Sequence, residues 1–152
     1  MAETRLQDHV GYWLRRLSDA VHGRFERQLA VHGVTVAQWN ALVAVYHGEA
    51  TTVRALARFI HIDPAAVSRV IDRLEEKGLM ARMADPTSRR RVRLALTAAG
   101  RALVPALIRV ADRNEEAFFG GLGTAERRQL LERLRSLLPK QSMERERMDD
   151  DD

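Results

Sequence analysis

Two short stretches hold the residues whose types and spacing suggest chemistry. The first is Asp63-Pro64-Ala65-Ala66-Val67-Ser68-Arg69-Val70-Ile71-Asp72-Arg73. On a helix it would set small side chains, a hydroxyl and two guanidinium groups along one face, with Pro64, Ala65, Ala66, Ser68, Arg69 and Arg73 as the candidate contacts. Alanines permit close approach to base edges and can touch a thymine methyl, while arginines fork onto guanine edges or phosphates. The amides near Ala65 and Ala66 would open the helix, where a phosphate can also be received. The second stretch is Arg89-Arg90-Arg91, just after Asp85-Pro86. Arginines on a narrow projection suit a narrow minor groove. Taken singly, each feature has an ordinary explanation, as a good helix former or a solvated charge. Their order along the chain and the local charge favour a polyanion.

Charge sharpens the point. The net charge is +4. Residues 1–50 are neutral, residues 51–100 carry ten basic and five acidic side chains, and residues 101–152 net −1. Only Lys77 and Lys140 of the 25 basic residues are lysine, and arginine is the better bidentate partner of phosphate and guanine. The 152 residues suit one domain, or at most two small ones. The chain has no cysteine, which excludes disulfides, thiolate metal sites and a thiol nucleophile. No apolar run reaches the ~18–20 residues of a membrane span. The start, Met1-Ala2-Glu3-Thr4-Arg5, leads into an amphipathic pattern instead of an apolar signal core. A cytoplasmic protein is expected.

The elements that must position those residues are legible from period and punctuation. Apolar residues from Leu6 to Leu29 recur at spacings of three and four, predicting one helix over 5–32 that ends at Gly33. Thr35 and Gln38 form a capping box for a helix over 36–47, with Val34 stapled to Trp39. Thr52 caps a short helix over 53–60. After a break at His61-Ile62, Asp63-Pro64 starts a fourth helix over 64–77, with Val67, Val70, Ile71 and Leu74 inward. Residues 79–83 and 91–96 read as strands around a turn at 84–90, Val92, Leu94 and Leu96 facing one way and Arg91 and Arg93 the other. Thr97 caps a helix over 98–119, with a kink expected near Pro105. Thr124 caps a last helix over 125–138, rich in leucine. The fold class is mainly α with a small β-hairpin: a winged helix-turn-helix, whose second helix enters the major groove, plus a helical dimerisation region. The division expected is 1–34 and 98–138 for dimerisation and 35–97 for DNA binding. Residues 139–152, ending in four aspartates, read as a disordered acidic tail.

The run from Asp63 to Leu79 resembles the recognition helix of the MarR (multiple antibiotic resistance regulator) family. Asp85-Pro86-Thr87-Ser88-Arg89-Arg90, leading to Leu96-Thr97-Ala98-Ala99-Gly100, is similar to that family's wing and its exit. The resemblance covers roughly residues 5–138. It implies a homodimer on a pseudo-palindromic operator, with repression relieved by a small ligand. Ser88 departs from the pattern, because the family places there an aspartate that buttresses a wing-tip arginine. On that basis Arg90 should be held less firmly.

Independently, the apolar stripes of the first and last two helices exceed what a small winged domain can cover, which favours self-association. Trp13, Trp39, Tyr46 and His47 are the candidate pocket for a small organic or aromatic acid, although each also suits plain core. The histidines His9, His22, His32, His47 and His61 lack the spacing of a metal site, and no metal or cofactor is expected. An enzyme is disfavoured, since no phosphate loop or nucleophile motif is present. A winged protein that coats DNA without sequence choice is the other alternative.

Overall fold

The computed structural model describes residues 3–139. The tail expected over 139–152 lies outside them from residue 140 onward. A short turn at Leu6–Asp8 precedes helix α1, Val10–Ala30, so the single helix expected over 5–32 divides at the extended His9. The Trp13 indole N–H ties the two together by donating to the Gln7 carbonyl at 2.8 Å.

Helix α2 spans Val36–Tyr46. Its capping box forms as expected, with the Gln38 amide donating to Thr35 Oγ1 at 3.1 Å and the Thr35 amide to Gln38 Oε1 at 3.2 Å. Helix α3, Val53–Ile60, is capped by Thr52, whose Oγ1 accepts from the Ala55 amide at 3.1 Å. The chain then reverses at His61, whose φ of 56° is left-handed, and enters helix α4, Pro64–Glu76. Val67, Ile71 and Leu74 of α4 are fully buried and Val70 is half-buried. They meet Leu42 of α2, Leu56 of α3 and Leu107 of a later helix, all equally inaccessible. Each such side chain contributes about 1.5–3 kcal/mol by leaving water. Lys77, just past α4, reaches back to donate to the Gly33 carbonyl and to Gln38 Oε1, joining the end of α4 to the loop between α1 and α2.

Strands β1, Met80–Asp85, and β2, Ser88–Leu96, form an antiparallel ribbon. It is longer than expected, and only Pro86-Thr87 remain as turn. Val92, expected on the same side of the strand as Leu94, is 49% exposed, whereas Leu94 is buried. The ribbon outruns the body that covers it, so alternation predicts burial only near its base. There the Leu94 amide donates to the Thr51 carbonyl at 2.7 Å.

Helix α5, Ala98–Phe119, runs through Pro105, which has no N–H for the Arg101 carbonyl. Its start is fixed by Thr97. The hydroxyl accepts from the Gly100 amide at 3.0 Å and donates to the Gly78 carbonyl at 2.6 Å. A Cβ on Gly100 would fall 1.9 Å from the Leu79 carbonyl oxygen, so only glycine permits this contact. Along α1 and α5, the buried Asn114 accepts from Arg24 at 3.0 Å and donates to the Val21 carbonyl at 3.2 Å. Helix α6, Thr124–Leu137, begins one residue earlier than expected, with Gly123 at the cap. Threonine does not supply the cap; Glu126 Oε2 accepts the Gly123 amide at 2.9 Å. No residue of α6 is buried; Leu131, Leu134 and Leu137 lie open, and so do Val10, Trp13, Leu14 and Leu17 of α1. No helix among the described residues is long and apolar enough to cross a membrane.

Candidate nucleic-acid interface

Helices α3 and α4 pack together across the His61 turn, leaving one side of α4 open. Pro64 occupies the first helical position, where its missing N–H costs nothing. Pro64, Ala65, Arg69 and Arg73 are exposed, while Ala66 and Ser68 are half-buried. The expected face therefore exists. Arg69 has no ion-pair partner among the described residues. Arg73 is held loosely by Glu76 at 3.2 Å, with both side chains well exposed, an arrangement that contributes only about 0.3–0.5 kcal/mol. One expectation needs correction. The Ala65 and Ala66 amides do not stand open for a phosphate, because Asp63 Oδ2 already accepts from them at 3.0 and 3.2 Å. The same aspartate that starts the helix fills its anion site.

The ribbon departs further from expectation. Arg89 and Arg90 belong to β2 and not to the turn. Ala84 pairs with Val92 but Asp85 pairs with Ser88, so the register slips between them. Arg89, Arg90 and Arg91 consequently have no cross-strand partner in the ladder, and all three are exposed. Such an insertion bends a strand and re-aims its side chains; here it collects three guanidinium groups beside the turn.

Asp85 organises that turn. Its Oδ1 accepts from the Thr87 amide at 2.9 Å and the Thr87 hydroxyl at 2.7 Å, and Oδ2 lies 3.7 Å from Arg93 Nε. The Thr87 hydrogen bonds, then the positive charge of Arg93 and Arg91, hold its carboxyl below the usual carboxylate value. Ser88 Oγ accepts the backbone amide of Arg90 at 3.4 Å. The serine thus touches the arginine's main chain, and the carboxylate beside the turn, Asp85, meets Arg93.

Sequence reasoning missed Arg82 on β1. Its guanidinium lies 2.8 Å from both Asp72 and Glu75 of α4. The available signal was a basic residue in a strand just after a helix with acids three residues apart.

The aromatic candidates are dispersed. Trp13 is 52% exposed and packs edge-on to Tyr12, and Trp39 meets Phe25 edge-on at 5.8 Å. Only Tyr46 and His47 touch each other through their rings, at 5.2 Å, with the Arg101 guanidinium 5.6 Å from the Tyr46 ring centre. An open depression beside α6 is lined instead by Glu116, Leu122, Arg127 and Leu131, among others.

Residues 34–92, the span from the loop before α2 to the middle of β2, match the MarR family. The chain is 30% identical over 130 residues to the HTH-type transcriptional repressor Mb2911 of Mycobacterium bovis, covering 84% of this chain and 94% of that one. The crystal structure of CouR from Rhodococcus jostii RHA1, bound to p-coumaroyl-CoA, superposes with a TM-score of 0.81 at 29% identity, over 89% of this chain and 95% of that one. Bordetella bronchiseptica BpsR, whose DNA binding is regulated by 6-hydroxynicotinic acid, superposes with a TM-score of 0.76 at 30% identity, over 90% and 97% of the two chains.

Proposed function

The chain belongs to the MarR family of transcriptional regulators, whose members are not enzymes, and from that premise we propose a ligand-responsive repressor that binds a pseudo-palindromic operator as a homodimer. One observation carries the DNA reading: the open face of α4, bearing an unpaired Arg69, stands beside a ribbon whose bulge releases three arginines together. Pro64, Ala65, Ala66, Ser68 and Arg69 meet base edges, Arg73 meets phosphate, and Arg89, Arg90 and Arg91 follow the adjacent minor groove.

Dimerisation accounts for the uncovered leucines of α6 and the open apolar side chains of α1, which a second copy of the chain would cover. Residues 1–34 and 98–138 form that region and 35–97 the DNA-binding unit. The effector is a small organic or aromatic acid. Tyr46 and His47 supply its aromatic wall and Arg101 the counter-charge; Trp39, packed on Phe25, and Trp13, open on α1, stand apart from them.

Selection of bound duplexes from a random pool tests the proposal. A consensus with two related half-sites is expected. Recovery of duplexes with no common sequence would refute it and favour a protein that coats DNA indiscriminately.

A further inference from the structure

Arg82 lies on β1, outside the surface assigned above to DNA, yet it grips the helix that bears most of that surface. Its guanidinium is 2.8 Å from Asp72 Oδ1, 2.8 Å from Glu75 Oε2 and 3.4 Å from the Ser68 carbonyl. Its backbone N–H also donates to Glu75 Oε1 at 2.9 Å. Ser68, Asp72 and Glu75 follow at spacings of four and three, so they form one stripe along α4. That stripe borders the one holding Ala65, Arg69 and Arg73. A single side chain of the ribbon thus spans three positions along the shoulder of the DNA-facing helix. Arg82 is 29% and Glu75 34% exposed, so water screens that arm less than a surface pair, whereas Asp72 is 57% exposed.

We infer that Arg82 is a positioning residue for sequence recognition, holding the ribbon against α4 so that both present their arginines at one fixed separation. The inference rests on the DNA-binding function proposed above. Sequence-specific binding needs the major-groove and minor-groove contacts together, in register with the duplex. If the ribbon swings freely, the cost of ordering it falls on that joint pose. Non-specific binding is satisfied by phosphates over many poses and does not bear this cost. Nη1 meets both carboxylates and Nη2 the Ser68 carbonyl; lysine in place of Arg82 would retain the charge, but its single nitrogen on an unbranched stem cannot hold all three from the planar geometry of a guanidinium.

The experiment measures affinity of the full chain for two labelled probes: a duplex recovered by selection with the wild type, and a random-sequence pool of equal length. Arg82→Lys should bind the pool within about twofold of wild type and lose about tenfold on the selected duplex, equivalent to ~1.4 kcal/mol. Glu75→Gln removes one arm of the strut together with a negative charge. It should tighten binding to the pool while lowering the ratio of selected to pool affinity. Partial unfolding lowers both affinities and cannot produce that divergence. An unchanged ratio in Arg82→Lys, or equal losses on both probes, would overturn the inference while leaving the regulator intact. A wild-type chain without preference between the probes would overturn both.

Discussion

Gly100→Ala is the sharpest test of how the wing is fastened to the helical arm. An alanine Cβ at this position would lie 1.9 Å from the Leu79 carbonyl oxygen and 2.9 Å from its carbon, where contacts under 3.0 Å are essentially never found. Both atoms are backbone, so no side chain can swing aside. The start of α5 must retreat by about 1 Å, and overpacking of this sort costs roughly 1–3 kcal/mol. The retreat also stretches the Thr97 amide bond to the Leu79 carbonyl, now 3.2 Å, and the Thr97 hydroxyl bond to the Gly78 carbonyl, now 2.6 Å. Each contributes about 0.5–1.5 kcal/mol. Against this, alanine gains up to about 1 kcal/mol of helix propensity over glycine. The net expectation is a loss of about 3 kcal/mol, or about 6–12 °C in melting temperature for a chain of this length. Thermal and urea unfolding at one fixed protein concentration measure it. Gly11→Ala provides the contrast, since its Cβ would meet nothing within 4 Å; it should stabilise by up to about 1 kcal/mol. A Gly100→Ala chain within 1 kcal/mol of wild type would refute the close-approach argument.

Three further outcomes are expected. Arg69→Ala should cost about 1–3 kcal/mol of operator affinity and relax one base position, whereas Arg73→Ala should weaken all sequences alike and flatten the salt slope by about one unit; binding titrations at several salt concentrations separate them. Because the Asp85 carboxyl is held below its ordinary 3.8, its contribution to wing order is complete above that value and lost as pH falls through the lower folded one; NMR of the Thr87 amide across an acid titration follows it, and an unchanged amide would contradict it. Placing lysine at both Leu131 and Leu134 should yield monomers by light scattering and abolish binding to a two-half-site duplex, while a dimer of unchanged affinity would move the interface elsewhere.

The parts legible in sequence were those specified within a few residues. The Thr35–Gln38 box, the Asp63-Pro64 start and the Thr97 cap all formed where local chemistry put them. Two local readings failed, the Thr124 cap and an unbroken first helix through His9; the other misses depended on partners distant in the chain or on competition for one group. Strand ends are set by cross-strand pairing, so the slip that frees Arg89–Arg91 had no local signature. Periodicity grouped Val92 with Leu94 on one side of the strand, but the body covers that side at Leu94 and not at Val92. The amides of Ala65 and Ala66 looked available because a cap and an anion use the same donors, and Asp63 takes them first. The Arg82 strut required knowing that β1 returns along α4.

Lys77 has a practical consequence. The only other lysine, Lys140, lies outside the described residues. Lys77 is exposed, yet its ammonium bridges the end of α4 to the Gly33 carbonyl and to Gln38 Oε1. In a Lys140→Arg chain, isotopic reductive methylation, which keeps the lysine charge, would therefore place, besides the label on the N-terminal amine, one lysine label at the seam between the helical arm and the DNA-facing helix. Its NMR signal would shift whenever that seam opens, so candidate acids could be screened for coupling across the molecule before any operator is known.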